Sequence, residues 1–331
     1  MSVTADLAPL AADLRDRLPD ATTEGASFAE LNTYRVGGPV AVLVRVHDVD
    51  ALATVADAAR RHQPRLLVIG RGSNLLVSDA GFSGLVVVLE GDFETIDAPA
   101  QSPQALRADS KGLRADAQAL RAGGAAPLPV LARRAAAGGL AGLEFYVGIP
   151  GSVGGAVRMN AGGHGRETVE VLRRAWVLDI LDAGAPPTAL EREVADLELD
   201  YRHSNLRPSE VVTAAEFSVT RDDPAACEAR VAEIVRWRRE HQPGGQNAGS
   251  VFRNPPGDSA GRLIDAAGLK GLRVGGAVVS EKHANFFQAD AGATARDVLD
   301  LVAEVQRRVA KASGVELVPE LHVVGDDAGE T

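Results

Sequence analysis

Two glycine-rich stretches constrain what this chain can fold into more than anything else in it. The first, Ile69-Gly70-Arg71-Gly72-Ser73-Asn74-Leu75-Leu76-Val77, follows an apolar run from Leu66 and leads into another. Gly70 and Gly72 can take backbone angles that Cβ-bearing residues avoid, so consecutive N–H groups can turn inward around an anion. An ordinary tight turn between strands has the same composition, and this stretch alone does not separate the two. The second, Gly148-Ile149-Pro150-Gly151-Ser152-Val153-Gly154-Gly155-Ala156, continues to Asn160-Ala161-Gly162-Gly163-His164-Gly165. Its seven glycines are far more than a turn needs. Pro150 stiffens the approach and Asn160 offers an amide, so this backbone is built to face a ligand.

Neither stretch matches the common nucleotide loops. Gly70-x-Gly72 is followed by Leu75 where a Rossmann fingerprint needs glycine, and no Lys-Ser or Lys-Thr pair follows a glycine loop as a Walker A motif requires.

The length of 331 residues leaves room for two or three domains, and 45% apolar with 24% charged residues is ordinary for a soluble globular protein. A net charge of -10 argues against a nucleic-acid backbone as partner, while local arginines and lysines can still hold a small anion. Cys227 is the single cysteine, which rules out an internal disulfide and any cysteine-based zinc site. Met1 to Pro19 lacks a basic stretch followed by an apolar core, and no apolar run approaches membrane-spanning length. The expected setting is the reducing cytoplasm.

Taken in order, Leu7, Leu10, Leu14 and Leu18 predict a short helix, followed by a polar connector to about residue 26. Val40–Val46 reads as a strand, Asp48 as the cap of a helix through Arg61, and Leu66–Ile69 as a second strand. Leu85–Leu89 is a further strand. Residues 91–112 read as a surface excursion, with the Pro99 to Lys111 portion resembling an insertion. Gly112–Ala122 is strand-like, and Pro127–Ala137 has helical spacing with Gly138-Gly139 behind it. Strands are expected around Ala175–Leu181 and Val211–Val219, with a Pro-Pro turn and an acidic segment between them. Cys227–Glu240 and Ser259–Ala267 read as helices. Thr294 and Asp297 form a capping box for the clearest helix of the chain, within Asp290–Ala310. Val315–Val324 alternates like a strand and carries Pro319 and Glu320.

Three polar residues stand in unusual company. Arg202 lies between Tyr201 and His203 at a segment end, where its guanidinium could hold a carboxylate in a fork or simply face solvent. Ser250 lies among glycine, alanine and asparagine before Val251-Phe252, and could equally cap a turn. Glu320 is either an edge-strand charge or a buried acid with a task. Ala248-Gly249-Ser250-Val251-Phe252 lacks the spacing of a hydrolase nucleophile elbow, and neither Ser73 nor Ser152 supplies it. The seven histidines give no His-x-x-x-His pair, so a helical metal site is not expected. A cofactor-dependent mechanism remains.

At this point the residues resemble a known family, the UDP-N-acetylenolpyruvoylglucosamine reductases. The match is carried by Gly70-Arg71-Gly72-Ser73-Asn74-Leu75-Leu76, by Gly148 to Ala156 with Asn160-Ala161-Gly162, by Tyr201-Arg202-His203-Ser204, and by Ala248-Gly249-Ser250-Val251-Phe252-Arg253-Asn254-Pro255. Ala260 to Asp265, Gly275-Gly276-Ala277, Ser280 to Asn285 and Pro319-Glu320 extend it, so the likeness runs from Thr33 to Gly325 in order.

The resemblance implies an α+β fold: an FAD-binding portion of two subdomains, of the vanillyl-alcohol oxidase/PCMH type, and a C-terminal α+β substrate-binding domain. The expected division is an N-terminal extension (1–26), subdomain 1 (27–98, completed by 316–326), subdomain 2 (99–222), a substrate-binding domain (223–315) and a tail (327–331). The implied reaction is NADPH-dependent reduction of UDP-N-acetylglucosamine enolpyruvate through FAD. Hydride goes from flavin N5 to C3, and Ser250 gives a proton to C2. Arg202 and a protonated Glu320 would stabilise the enolic intermediate. Gly70, Arg71, Gly72, Ser73, Asn74 and Leu75 would cradle FAD together with Ile149, Pro150, Gly151, Ser152, Gly154 and Gly155, with Asn160, Ala161 and Gly162 nearby.

Tyr201 and Asn254 are expected at the substrate. Arg238, Lys282 and His283 are candidates for its diphosphate or carboxylate on charge and neighbourhood. Asn74 stands where related flavin oxidases often carry a histidine for covalent attachment, which implies non-covalent FAD. No extra tyrosine-bearing segment lies between Arg202 and Ser250, which implies the shorter-loop subclass. A monomer without nucleic-acid or metal partners is expected. Two other readings stay open: a flavin oxidase or dehydrogenase of the same superfamily, and a non-catalytic flavin- or UDP-sugar-binding module.

Overall fold

The computed structural model describes residues 7–97, 117–184 and 188–326. The expected insertion at 99–111, the Pro-Pro turn and the tail lie outside them. The chain opens with α1 (Ala8–Arg17), β1 (Thr22–Ser27), β2 (Pro39–Val46), α2 (Val49–His62), β3 (Leu66–Ile69), β4 (Leu75–Val77) and β5 (Phe82–Leu89). β2, β5 and β3 run parallel in that spatial order, and β1 lies antiparallel on β2. Asp48 caps α2 by accepting from the Ala51 N–H at 2.7 Å. Leu52, Val55 and Ala59 of α2 then pack with Leu10 and Leu14 of α1 against Val42, Val44 and Val87. Thr22–Ser27, expected as a polar connector, is the strand β1. Its sequence has no apolar alternation; pairing with β2, Thr22 opposite Val44 and Ala26 opposite Val40, makes it a strand.

Next come β6 (Ala117–Gly123), α3 (Leu128–Ala137), β7 (Leu140–Ala141), α4 (Val153–Arg158), β8 (Gly162–Gly163), β9 (Arg166–Glu167), β10 (Leu172–Asp179), β11 (Leu190–Glu193) and β12 (Glu210–Arg221). They build an antiparallel sheet ordered β11-β10-β12-β6, with β7 also on β12, while β8 and β9 form a small hairpin. Tyr146, Leu128, Val157 and Phe217 lie in its core. The segment expected to be acidic coil contains β11, whose Glu191 pairs with Arg174 on β10 at 2.6 Å. The second glycine stretch holds the short helix α4, capped by the Ser152 hydroxyl.

The last part contains α5 (Pro224–His241), α6 (Ala260–Ala266), β13 (Arg273–Val274), β14 (Ala277–Val279), β15 (Phe287–Ala289), α7 (Ala295–Ser313) and β16 (His322–Val324). The Thr294–Asp297 capping box forms, and Val298, Leu301, Val302, Val305 and Val309 of α7 are buried. Asp79, from the far end of the chain, accepts from the Ala295 and Arg296 N–H groups at 2.9 Å each, locking α7 to the first sheet's loops. The strand expected over Val315–Val324 shortens to β16; ahead of it Pro319 makes an isolated antiparallel bridge with Phe252, flanked by bonds from the Arg253 N–H to the Val318 carbonyl and from the Glu320 N–H to the Val251 carbonyl. Glu320 therefore precedes the strand. β16 runs parallel to β4, His322 opposite Leu75, which lays the C-terminal end along the first glycine stretch.

Candidate active site

The two glycine stretches meet. A Cβ on Gly70 would stand 2.2 Å from Ser152 Oγ, and one on Gly72 (φ +59°) only 2.1 Å from the Leu31 carbonyl. Both positions exclude any larger residue unless a neighbour shifts. Behind them, Gly70, Gly124, Ser152, Gly154, Gly155 and Arg158 line a cleft between the first two sheets. A Cβ on Gly155 would meet only Ser152 Oγ, at 3.6 Å, so this wall keeps bare backbone towards open space. Arg158 is spent on structure, donating to the Leu206 and Arg207 carbonyls at 3.2 Å each.

Arg202, at φ +54°, projects from the turn after Asp200, and its Nε donates to Glu320 Oε1 at 2.5 Å. Arg202 Nη1 is buried, makes no hydrogen bond among the described residues, and stands 3.7 Å from Glu167 Oε1. Its guanidinium carbon lies 4.8 Å from the centre of the Tyr201 ring. Burial pushes the Glu320 carboxyl above its usual 4.5, while Arg202 and Arg253 pull it back. Glu320 is held from behind as well: Asn74 Nδ2 donates to its carbonyl at 3.1 Å, and its own N–H donates to the Val251 carbonyl at 2.8 Å. The first glycine stretch and the residue after Ser250 are thus both hydrogen-bonded to the main chain of Glu320.

Ser250 sits half-buried after Gly249 (φ +76°) and bridges to Phe286. Asn285 clamps the segment that follows, donating to the Phe252 carbonyl at 2.8 Å and accepting from its N–H at 3.0 Å. Sequence reasoning gives Asn285 and Glu167 no role of their own. The available signal for Asn285 was an amide set between Ala284 and Phe286-Phe287, where a polar group must find partners.

Asn160 (φ +39°) is fully buried, and its amide is used by Glu167 Oε2, the Asp200 carbonyl and the Val169 N–H. It orders the loops around Arg202 and has no free amide to offer. The side-chain carbonyl of Asn254 accepts from the Ala260 N–H at 3.1 Å. Arg238, on α5, lies beside Gly148 with no carboxylate partner among the described residues, and burial lowers its pKa. Lys282 reaches the carbonyl of the adjacent Arg239 at 2.5 Å. His283 is half-buried, packing on Phe286 and beside Gly261.

Comparison with known proteins shows the family. Residues 40–180 match the family described as FAD binding domain, and residues 241–324 match UDP-N-acetylenolpyruvoylglucosamine reductase, C-terminal domain. A UDP-N-acetylenolpyruvoylglucosamine reductase of Rhodopseudomonas palustris (strain HaA2) is 42% identical over 97% of this chain and 98% of its own length. One from Syntrophotalea carbinolica is 39% identical over 96% of this chain and 98% of its own. The crystal structure of the Thermus caldophilus reductase superposes with a TM-score of 0.72 at 36% identity, covering 90% of this chain and 97% of that one. Nearly end-to-end identity at this level, with an FAD-binding region and the reductase C-terminal domain in sequence, places the chain in the UDP-N-acetylenolpyruvoylglucosamine reductase family of FAD-dependent oxidoreductases.

Proposed function

We propose that the protein uses FAD and NADPH to reduce UDP-N-acetylglucosamine enolpyruvate to UDP-N-acetylmuramate, a step of peptidoglycan precursor synthesis. The observation that carries this reading is the Arg202–Glu320 pair beside the Ser250 segment, with Arg202 Nη1 left without a hydrogen bond. A buried guanidinium nitrogen that has no hydrogen bond and only a 3.7 Å approach to Glu167 favours an anion, and the enolpyruvyl carboxylate provides one. The glycine-walled cleft suits FAD on steric grounds: at Gly155 its wall is bare backbone facing open space, where a larger side chain would take up room.

Gly70 to Leu75 and Ile149 to Gly155 would hold FAD non-covalently, since Asn74 provides no covalent link. The chemistry bound FAD supplies is hydride delivery to C3, with NADPH as its reductant. Arg202 binds the substrate carboxylate and stabilises the negative charge that spreads onto it. Glu320, kept neutral by burial and by the approaching carboxylate, donates a hydrogen bond to the same oxygens. Ser250 gives its hydroxyl proton to C2, completing addition of hydride and proton across the double bond. A serine hydroxyl is a weak acid, so this step relies on a strongly basic carbanion and a hydroxyl held in line. Asn285 fixes that line by holding Phe252 on both its N–H and its carbonyl.

The test is anaerobic. The flavin is reduced with NADPH, UDP-N-acetylglucosamine enolpyruvate is added, and the oxidised flavin band is followed. Rapid return of the band is expected. A flavin that stays reduced overturns the substrate assignment in favour of an oxidase or dehydrogenase of the same fold.

A further inference from the structure

Beside the catalytic pair lies a second cationic corner. His164 occupies the turn of the β8–β9 hairpin at φ +54°, and its ring meets Trp237 edge to face, with centroids 5.1 Å apart. A Cβ placed on Gly148 would stand 3.2 Å from the His164 ring and 3.3 Å from Arg238 Cδ, so both side chains close over one point of the second glycine stretch. The other end of the hairpin touches Arg202: a Cβ on Gly162 would lie 3.3 Å from Arg202 Nη1. Only Gly163 separates Gly162 from His164 along the hairpin, so the two cationic side chains stand at neighbouring points of it.

We infer that His164 and Arg238 form the diphosphate-binding corner of the nucleotide-sugar site, and that His164 takes up a proton as the diphosphate arrives. The inference rests on the proposed substrate. Its physical basis is an unbalanced charge. Arg238 has no carboxylate partner among the described residues, and its only resolved perturbation is desolvation. Glu228, Glu233 and Glu240 of α5 are exposed to solvent, and the acidic groups on the other surrounding elements are paired. Glu144, on the turn before Gly148, pairs with Arg230; Arg166 pairs with Glu170; and Glu167 bonds Asn160 and lies near Arg202. His241 stacks on the Trp237 ring and its Nδ1 meets the Trp237 carbonyl.

Partial burial, and then Arg238, hold His164 below its usual 6.5, so the free protein keeps it neutral near pH 7. A diphosphate set between the two reverses that balance, because an anion favours the charged imidazole. Binding and protonation then become linked, and affinity falls as pH rises between the free and bound pKa values.

The experiment is titration calorimetry of the oxidised holoenzyme with UDP-N-acetylglucosamine, whose diphosphate diester does not itself titrate near neutrality. Runs at pH 7.5 in buffers of different ionisation enthalpy read proton uptake directly. Uptake is expected for the wild type, with affinity falling several-fold between about pH 6.5 and 8.5. Both effects should vanish in His164→Asn, since asparagine tolerates the left-handed turn but cannot carry the charge. Arg238→Gln should weaken binding about tenfold or more at every pH. Absence of proton uptake in the wild type, uptake unchanged in His164→Asn, or normal affinity in Arg238→Gln overturns the inference. The flavin reoxidation assay is independent: uptake without turnover of the enolpyruvyl sugar keeps this corner and removes the proposed reaction.

Discussion

Arg202 Nε stands 2.5 Å from Glu320 Oε1 although 118 residues separate them. The contact depends on the parallel pairing of β16 with β4, which lays the C-terminal end beside the first glycine stretch, and on the left-handed turn that aims Arg202 back at it. Glu320 thus accepts from Nε and fixes the orientation of the guanidinium, while Nη1 makes no hydrogen bond among the described residues.

Arg202→Lys should show that this division of labour needs a planar fork. A lysine ammonium can meet Glu320 or a substrate carboxylate, but it cannot hold one in fixed geometry against the other. We expect flavin content near normal and kcat/KM lowered by about a hundredfold or more, the scale of losing one oriented donor. Stopped-flow reoxidation of the reduced flavin checks this, and unchanged kinetics would remove Arg202 from the site.

Ser250→Ala separates binding from protonation. Flavin and UDP-sugar binding should persist, because Asn285 holds the following segment through backbone groups that alanine leaves intact. Substrate-dependent reoxidation should slow by about a hundred- to ten-thousand-fold, the range for a lost general acid. Turnover near the wild-type rate would assign the proton to another donor.

Glu320→Gln tests the neutral form of the acid. Burial raises the Glu320 pKa, so the protonated donor persists above the usual 4.5 and is lost as pH climbs through the raised value. That loss should appear as an alkaline fall in kcat/KM. Glutamine donates a hydrogen bond at every pH and does not titrate, so the variant should lose this limb while keeping more activity than Glu320→Ala. A limb that survives the substitution belongs to another group.

How much of this was legible in the sequence follows from which forces act locally. Asp48, and Thr294 with Asp297, announce their helices because a cap and its N–H lie within one turn of chain. β1 is not announced, since Thr22–Ser27 is a strand only through its partner β2. Residues 315–321 carry strand-like alternation, yet their pairing is confined to an isolated bridge between Pro319 and Phe252, which depends on a segment more than sixty residues away. At the site, the glycine stretches are conspicuous because close backbone approach excludes other residues. The side chains behind them are less so. Asn160 and Asn254 present amides in the sequence, but only the fold shows that the Asn160 amide is taken by neighbouring loops, that the Asn254 oxygen accepts from the Ala260 N–H, that Lys282 reaches the Arg239 carbonyl and that His283 packs on Phe286. Charge is a property of a residue, whereas unsatisfied charge is a property of the fold.

The contact between the two glycine stretches yields the sharpest structural prediction. A methyl group on Gly70 meets Ser152 Oγ at 2.2 Å and Ser152 Cβ at 3.4 Å, with no positive φ at Gly70 to add backbone strain. Ser152 is buried and caps α4 through the Gly155 N–H, so it cannot simply swing away. Gly70→Ala should therefore cost about 1–3 kcal/mol, as overpacking does, and lower the FAD retained on purification. Ser152→Gly alone should cost only a few tenths of a kcal/mol, the usual difference when glycine replaces serine at a cap. Because the double variant removes the clashing partner, it should be more stable than the sum of the single costs predicts, by about 1 kcal/mol or more. Denaturant unfolding of all four proteins, with flavin content measured alongside, completes the cycle. Strict additivity would mean that Gly70 is kept free of a side chain for the cofactor alone; the predicted coupling would mean that the two loops also shape each other before any cofactor binds.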